Sequence, residues 1–332
     1  MKQKKFIVLV LAVLLMLCLT ACGQKLTLDF AFGSRTGTYS GNMTDGLPNG
    51  YGKFTTKNDN GDGWTYEGNW SKGHFEGEGK TTWESGEMEE GVYKDDKIVP
   101  IAGDEVKGLY ADPKSYQNKV VELYGKVFTV PQQDQDNTAI QMWGDPKNSN
   151  NNVVVYIPDR NFEVKSGDYV RIIGKVGEEF KGNNAFGGGV TAPTVYAKEC
   201  EVVSYIEAVS PALSTIEVNQ TIAQLGYAVT VQKVELAEDE TRIYVKVENN
   251  GSDKFSLYSF SSLLVQNGKQ FQEQSNWDAD YPDIQTDLLV GNTTEGIIAF
   301  PKIEKADFAI VLEGHSGNYR EDFEEFRYEI QQ

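Results

Sequence analysis

Apolar and polar residues alternate in short runs along most of the chain, and Gly, Asn and Asp separate the runs. Clear examples are VELYGKV, YVRIIGKV, AVTVQKVEL and TRIYVKVEN. Alternation with a period of two is typical of strands that bury one face, whereas amphipathic helices repeat every 3.6 residues. Helical periodicity is hard to find in the chain. The pattern therefore predicts an all-β protein.

The length of the chain predicts more than one domain, because 332 residues are too many for one ordinary core. Turn signals and changes of composition divide it further. We expect a signal peptide at 1–21, then a tether that includes a possible first hairpin strand at 22–36. A repeat region follows at 37–98. Two further β domains are expected at 104–205 and 206–332.

The N-terminus has the layout of a secretory signal. Three lysines precede the unbroken apolar run at residues 6–19, which is too short for a comfortable membrane span. The following LTAC resembles the lipobox of bacterial lipoproteins. That resemblance implies cleavage before Cys22, a lipid on its sulfur, and a place on the extracellular face of a Gram-positive-like cell membrane. The alternative is an ordinary secretory signal with an incidental cysteine.

Charge and cysteine content fit an extracellular protein. The chain has 31 basic and 49 acidic side chains, and three lysines leave with the signal, so the net formal charge moves from −18 to −21. Such a charge disfavours nucleic acid as a partner. Once Cys22 carries lipid, Cys200 has no partner for an internal disulfide. Its strand-like surroundings favour a buried structural thiol over a nucleophile.

The region at 37–98 contains an internal repeat. YSGNMTDGLPNGYGKF at 39–54 aligns with YEGNWSKGHFEGEGKT at 66–81, and EEGVYKDDK at 89–97 is a weaker copy. The pattern resembles the MORN repeat, Y-x-G-x-W-x-x-G-x-x-x-G-x-G. The resemblance implies one β-hairpin per copy, each stacked on the next. We expect Tyr66 and Trp70 to be core residues of the repeat, with a partner-binding face as the alternative.

The loop KNDNGDGW between the first two copies imitates the start of a calcium-binding EF-hand loop. Asn58, Asn60, Asp62 and Gly63 match its opening, but Asn69 stands at the twelfth position, where a bidentate glutamate is required. The sequence therefore predicts a solvated hairpin turn here, and no metal site.

The segment at 104–205 has five strand-like runs and resembles an OB-fold barrel, chiefly through GDYVRIIGKV. OB-folds bind oligonucleotides or oligosaccharides on one barrel face and its adjoining loops. The resemblance makes six residues candidates for a ligand face: Trp143, Tyr156, Phe180, Lys181, Asn183 and Phe186. The alternative is that Trp143 and Tyr156 fill the barrel core and that the loop is merely long. The segment has 11 basic and 14 acidic residues and no basic stripe, which favours this alternative. Any ligand should then be a sugar or peptide rather than a polyanion.

The last segment, 206–332, is again strand-like and has 9 basic and 22 acidic residues. VKVENNG, LLVQNGKQF and LLVGNTTEGIIAFP resemble the immunoglobulin-like domain of unknown function found at the C-terminus of Gram-positive surface lipoproteins. The runs DADYPD and REDFEEF could bind cations, but an acidic surface is the better interpretation.

Catalytic motifs are missing from the sequence. His74 and His315 are the two histidines, and no HExxH, G-x-S-x-G, Walker loop or Cys–His constellation is present. We therefore expect no catalytic residue, no cofactor and no metal. The sequence predicts a lipid-anchored binding or scaffold protein whose partner is an extracellular protein or peptidoglycan. Two alternatives stay open: a hydrolase of envelope carbohydrate with unidentified carboxylates, and oligonucleotide binding by the OB-like domain.

Overall fold

A computed structural model describes residues 23–183 and 189–332, without the side chains of Asn183 and Val190. The predicted signal peptide, Cys22 and Phe186 lie outside the described residues. Strands dominate, so the all-β prediction is confirmed. The described chain forms two compact units, one ending at Val202 and one beginning at Val203. No helix within the described ranges is long and apolar enough to cross a membrane.

The first unit opens with a seven-stranded sheet, here called the repeat sheet, in which every strand is antiparallel to the next one along the chain. Its strands are β1 (Gln24–Phe30), β2 (Gly33–Thr44), β3 (Leu47–Lys57), β4 (Gly63–Ser71), β5 (His74–Trp83), β6 (Met88–Lys94) and β7 (Lys97–Ile98). The hairpins expected from the three repeat copies are present. Residues 24–30, in the segment expected to be a tether with a possible first hairpin strand, form β1.

The tyrosine and glycine positions of the repeat are explained by one local arrangement. The hydroxyl of Tyr66 donates to the carbonyl oxygen of Asn69, 2.9 Å away, where the strand register shifts by a bulge. Tyr39 makes the same bond to Asn42 in the preceding copy, at 2.7 Å. A Cβ atom on Gly79 would overlap the Tyr66 ring and hydroxyl, so only glycine leaves room for the ring.

The repeat sheet curls until its first hairpin meets its last. Phe30 of β1 lies 4.9 Å from the Phe75 ring of β5, measured between centroids. The carboxylate of Asp96 accepts hydrogen bonds from the Ala31 and Phe75 amides, at 2.9 and 2.8 Å, and lies 2.8 Å from the ring of His74. Buried Asp96 therefore fastens the turn after β1 to β5. Tyr66 and Trp70 lie in the enclosed aromatic core, as predicted.

A closed five-stranded barrel follows the repeat sheet. Its strand order is β11–β15–β12–β8–β10, and β10 pairs again with β11 to close the ring. Strands β11 and β15 are parallel, and the other ladders with an established direction are antiparallel. The strands are β8 (Val120–Val127), β9 (Gln132–Gln133), β10 (Thr138–Asp145), β11 (Asn150–Ile157), β12 (Tyr169–Val176), β13 (Phe180–Asn183), β14 (Gly189–Ala192) and β15 (Thr194–Val203). The OB-like barrel predicted for this segment is therefore present.

The repeat sheet and the barrel are joined by backbone and side-chain bonds. The main chain of Ile101 both donates to Val120 and accepts from Glu122, each at 2.9 Å. Lys198 of β15 pairs with Glu89 of β6 at 2.6 Å. The connecting chain contains helix α1 (Lys107–Ala111), between 3₁₀ turns at Gly103–Val106 and Pro113–Tyr116. Because these bonds cross the junction, the sheet and the barrel belong to one unit.

The second unit is a β-sandwich. Two four-stranded sheets, β16–β17–β18–β22 and β21–β20–β23–β25, share one core, and β19 pairs with β24 beside them. The elements are α2 (Tyr205–Val209), β16 (Ser214–Gln224), β17 (Tyr227–Leu236), β18 (Glu240–Asn249), β19 (Phe255–Leu257), a 3₁₀ turn (Ser259–Ser261), β20 (Leu263–Gln266), β21 (Lys269–Gln272), β22 (Thr293–Pro301), β23 (Phe308–Leu312), β24 (Gly314–Ser316) and β25 (Phe326–Ile330). Asn267 and Gly268 form the tight turn between β20 and β21, both with positive φ, as the sequence predicts.

One charged network is buried on the face of β17 and β18 that points away from the sandwich core. Arg242 is fully buried and donates to Glu235 at 3.0 Å and to Glu240 at 2.7 Å. Tyr244 and Tyr281 donate to the same two carboxylates. Burial alone would raise the pKa of Glu235, but hydrogen bonds from Lys233, Tyr244 and Arg242 together lower it. Glu235 is therefore held in its charged form within the unit.

Candidate ligand-binding face of the barrel

Trp143 and Tyr156 lie on the outside of the barrel. Ile140 and Met142 of β10 point into the core, so Trp143, the residue after Met142, points outward. On β11 the inward residues are Val153, Val155 and Ile157, which leaves Tyr156 outside. Both aromatic side chains are half-buried. The interpretation that they fill the barrel core is therefore wrong, because they occupy the opposite phase of each strand.

Trp143 forms one half of an aromatic pair. Its ring stacks on Phe128, just after β8, with centroids 3.9 Å apart and planes 16° from parallel. The cross-strand neighbours of Trp143 are Lys126 on β8 and Asn152 on β11. The ammonium of Lys126 lies 5.1 Å from the centre of the Tyr169 ring. The indole is thus held flat beside polar and cationic groups.

Tyr156 belongs to a second aromatic pair. Its ring stacks on Tyr196 of β15, with centroids 5.6 Å apart and planes at 22°. Tyr196 is 49% exposed and lies over Gly177, where a Cβ atom would overlap the ring. Glycine at 177 therefore lets the second pair lie close to the barrel wall.

Phe128, Trp143, Tyr156 and Tyr196 are called the aromatic face below. In the β10–β11 ladder Trp143 pairs with Asn152, and Tyr156 pairs with Ala139. Four ladder positions separate the two pairs, which at about 3.3 Å per residue is about 13 Å. The amide groups of Gln141 and Asn152 lie between them, 3.4 Å apart. The Oδ1 atom of Asn152 has no hydrogen-bond donor among the described residues.

The hairpin of β13 and β14 carries the other predicted site residues. It leaves the barrel between β12 and β15, and β14 lies near β11. Phe180 is half-buried at its base, opposite Ala192, and Lys181 is exposed. Asn183 ends β13, but its side chain is not described, and Phe186 lies outside the described residues. The β11–β15 ladder begins at Val154 and Thr194, so β14 precedes it on the side of Asn152, the cross-strand partner of Trp143.

One basic group on the barrel surface, Arg171, is already held by two carboxylates. Arg171 of β12 donates to Glu122 at 2.5 Å and to Glu201 at 2.6 Å. Hydrogen bonds from the guanidinium to Glu201 and Glu122 raise the pKa of Arg171. Since two carboxylates surround it, this arginine is poorly suited to contact a phosphate.

The other candidate chemical groups have structural partners. Burial raises the pKa of Cys200 to about 12, which keeps the thiol neutral and agrees with the predicted structural role. Asn58 Oδ1 accepts hydrogen bonds from the Asn60 and Asp62 amides, both at 2.9 Å, so the KNDNGDGW loop is the predicted turn. Within residues 23–183 and 189–332, no three His, Cys, Asp or Glu side chains are grouped to hold a metal.

Sequence reasoning missed half of the aromatic face. Phe128 stands just beyond the end of a strand, and Tyr196 lies in TVYAKEC, which the sequence assigned only as a strand. The phase of that run was the available signal, because Tyr196 alternates with Val195 and Ala197, which lie in the core. The sequence does not show which ring Phe128 or Tyr196 stacks on, because that depends on how the strands pair.

Comparison with known proteins supports the repeat. Residues 39–61 and 66–88 match the family model of the MORN repeat. These are the first two copies found in the sequence, so that prediction is confirmed. The curated proteins contain no match. Among solved structures, a conserved domain protein from Bacillus anthracis aligns over 93% of this chain and 90% of its own, with 8% identity and a TM-score of 0.28.

Proposed function

We propose that this protein is a lipid-anchored binding protein on the extracellular face of a Gram-positive-like cell membrane, and that its barrel binds a cell-wall glycan. The proposed anchor is a lipid on Cys22, and its support is the lysine-rich start, the apolar run and LTAC. We also propose that the sandwich is an immunoglobulin-like domain. MORN repeats, barrel and sandwich would together present β surfaces to the envelope.

The observation that carries the glycan proposal is the aromatic face. Pyranose rings have apolar C–H faces that pack on flat aromatic rings, while their hydroxyl groups seek amide partners. Two ring pairs about 13 Å apart, with Gln141 and Asn152 between them, offer both kinds of contact along one line.

A sugar chain fits this face better than a nucleic acid. Binding of single strands combines aromatic stacking with a positive groove that follows the phosphates. The chain has a net formal charge of −18, and Arg171 is occupied by Glu122 and Glu201. Stacking is therefore available without the electrostatic attraction that a polyanion needs.

Binding to insoluble peptidoglycan tests the proposal. The soluble chain starting at Gly23 should be retained at physiological salt, and Trp143→Ala should weaken retention about tenfold, since loss of one stacked ring costs about 1–3 kcal/mol. Trp277→Ala is the matched control, because Trp277 is 92% exposed in the other unit. Equal retention of parent, Trp143→Ala and Tyr156→Ala chains would remove the aromatic face from the proposal.

The same samples distinguish the alternatives. Tight, salt-sensitive binding of single-stranded DNA without retention on peptidoglycan would favour an oligonucleotide ligand. Release of soluble muropeptides would favour a hydrolase. Labelled palmitate tests the anchor separately: the parent chain should be labelled and Cys22→Ala should not. Label that survives this substitution contradicts lipidation at Cys22.

A further inference from the structure

The repeat sheet contains a cleft that shares no lining residue with the aromatic face. Its volume is about 320 Å³, which is at the lower end for a small-ligand site. Phe32, Trp64, Trp83 and Ile98 supply apolar walls, and Arg35 lies among them. Trp64 and Trp83 are directly opposite each other in the β4–β5 ladder, so both side chains project from the same face of the sheet. A flat apolar group would therefore meet rings here.

Among the charged side chains that line this cleft, Arg35 has the weakest interactions with its partners. Its side chain is only 16% exposed, and the guanidinium lies 5.9 Å from the Phe32 ring centre. One terminal nitrogen donates to the Ser34 carbonyl at 2.8 Å, and the other to Asp59 at 3.1 Å. Asp59 is 84% exposed, and an ion pair of that kind is weak because water screens it. Nε is buried and has no acceptor among the described residues, so the two terminal nitrogens are the ones an incoming group can reach.

The other charges that line the cleft are engaged more firmly. Glu89, 10% exposed, pairs with Lys198 at 2.6 Å. Both oxygens of Asp96 accept hydrogen bonds within the fold, as described above. The guanidinium of Arg35 therefore has the most hydrogen-bonding capacity to offer an incoming group, and what it seeks is an anionic acceptor.

We infer that this cleft binds an aromatic carboxylate, with its ring packed against Trp64 and Trp83 and its carboxylate on Arg35. The carboxylate would replace Asp59, whose exposed side chain gives up little on leaving. The inference does not depend on glycan binding, because none of the cleft residues belongs to the aromatic face. It assigns the repeat sheet a ligand of its own beside its structural role.

Calorimetric titration of the soluble chain with 3-phenylpropionate tests the inference, with 3-phenylpropionamide and benzylammonium as matched probes. The acid should bind at least tenfold more tightly than the amide. Arg35→Gln should abolish that preference, while Trp83→Ala should weaken acid and amide alike. Arg320→Gln is the control, since Arg320 also lies beside an aromatic ring, 5.7 Å from the centre of Tyr319, but in the other unit.

Asp59→Asn provides a test that does not depend on removing a buried side chain. Because it removes the competing carboxylate, it should tighten binding of the acid severalfold and leave the amide unchanged. No binding of the acid, equal binding of acid and amide, preference for benzylammonium, or weaker acid binding by Asp59→Asn would each overturn the inference. Peptidoglycan retention by Arg35→Gln should match the parent, which separates this result from the glycan proposal.

Discussion

The repeat sheet and the sandwich are both antiparallel β structures, but they fill their cores differently. Eight of the nine buried residues in the repeat-sheet core are aromatic, against six of 21 in the sandwich core. One curled sheet has no facing sheet, so large rings must span its interior, and glycines must make room for them. Two facing sheets interdigitate with Val, Ile and Leu, and Arg242 is buried on the other face of one of these sheets. The same secondary structure thus depends on ring packing in the repeat sheet, and on aliphatic packing with one ion network in the sandwich.

The largest test of this difference is Arg242→Ala. Removing the guanidinium leaves Glu235 and Glu240 without their buried cation, which costs about 3–5 kcal/mol. Hydrogen exchange of β17 and β18 in increasing urea should show that loss. The matched control is Arg327→Ala, whose exposed pair with Glu329 contributes about 0–1 kcal/mol. Equal effects of the two substitutions would mean that the buried network does not distinguish the sandwich.

Gly79→Ala is the corresponding test of the repeat sheet. The new Cβ overlaps the Tyr66 ring and hydroxyl, and we expect a loss of about 1–3 kcal/mol from forced repacking. Urea unfolding followed by hydrogen exchange of β4 and β5 measures the change. Lys80→Ala, exposed at the next position of β5, should change the free energy of unfolding by less than about 0.5 kcal/mol. A tolerated Gly79→Ala would contradict the close approach of ring and strand.

Acid should affect the sandwich through its network. Burial would raise the pKa of Glu240, but hydrogen bonds from Tyr281, Asn276 and Arg242 outweigh it and lower the pKa, as happens at Glu235. A lowered folded-state pKa stabilises the fold above the unfolded value, about 4.3, and that contribution is lost as pH falls through the folded value.

Thermal unfolding of the chain at pH 6, 4 and 3 measures this effect, which should be smaller than that of Arg242→Ala. Glu240→Gln removes one of the two titrating groups, so its unfolding temperature should fall less steeply between pH 6 and pH 3 than that of the parent. An identical pH profile for parent and variant would show that Glu240 does not contribute to the acid sensitivity.

The repeats were predictable because their constraint is local. The Tyr66 hydroxyl bonds the Asn69 carbonyl, and the Tyr66 ring needs glycine at position 79. These two contacts fix the residue types and their spacing along the sequence. The curl of the sheet was not predictable, because Asp96 binds Ala31, 65 positions earlier. No periodic pattern encodes that contact.

The barrel was predictable from alternation, but the orientation of its aromatic residues was not. In TAIQMWG both phases contain apolar residues, so Ile140 and Trp143 compete for the inside. In VVVYI every position is apolar, and period two gives no answer. Arg242 was missed for the opposite reason: in so acidic a segment, a charged strand resembles a solvated surface until the fold encloses it.

Strand β1 begins at Gln24, so Gly23 alone separates it from Cys22. One residue spans at most about 3.6 Å. If Cys22 is lipidated as proposed, no flexible linker separates the lipid from the repeat sheet. The edge strand β1 would then begin at the lipid headgroups. A protein anchored so closely cannot extend far from the membrane and has little rotational freedom. It therefore encounters its partners by two-dimensional diffusion within the plane of the bilayer.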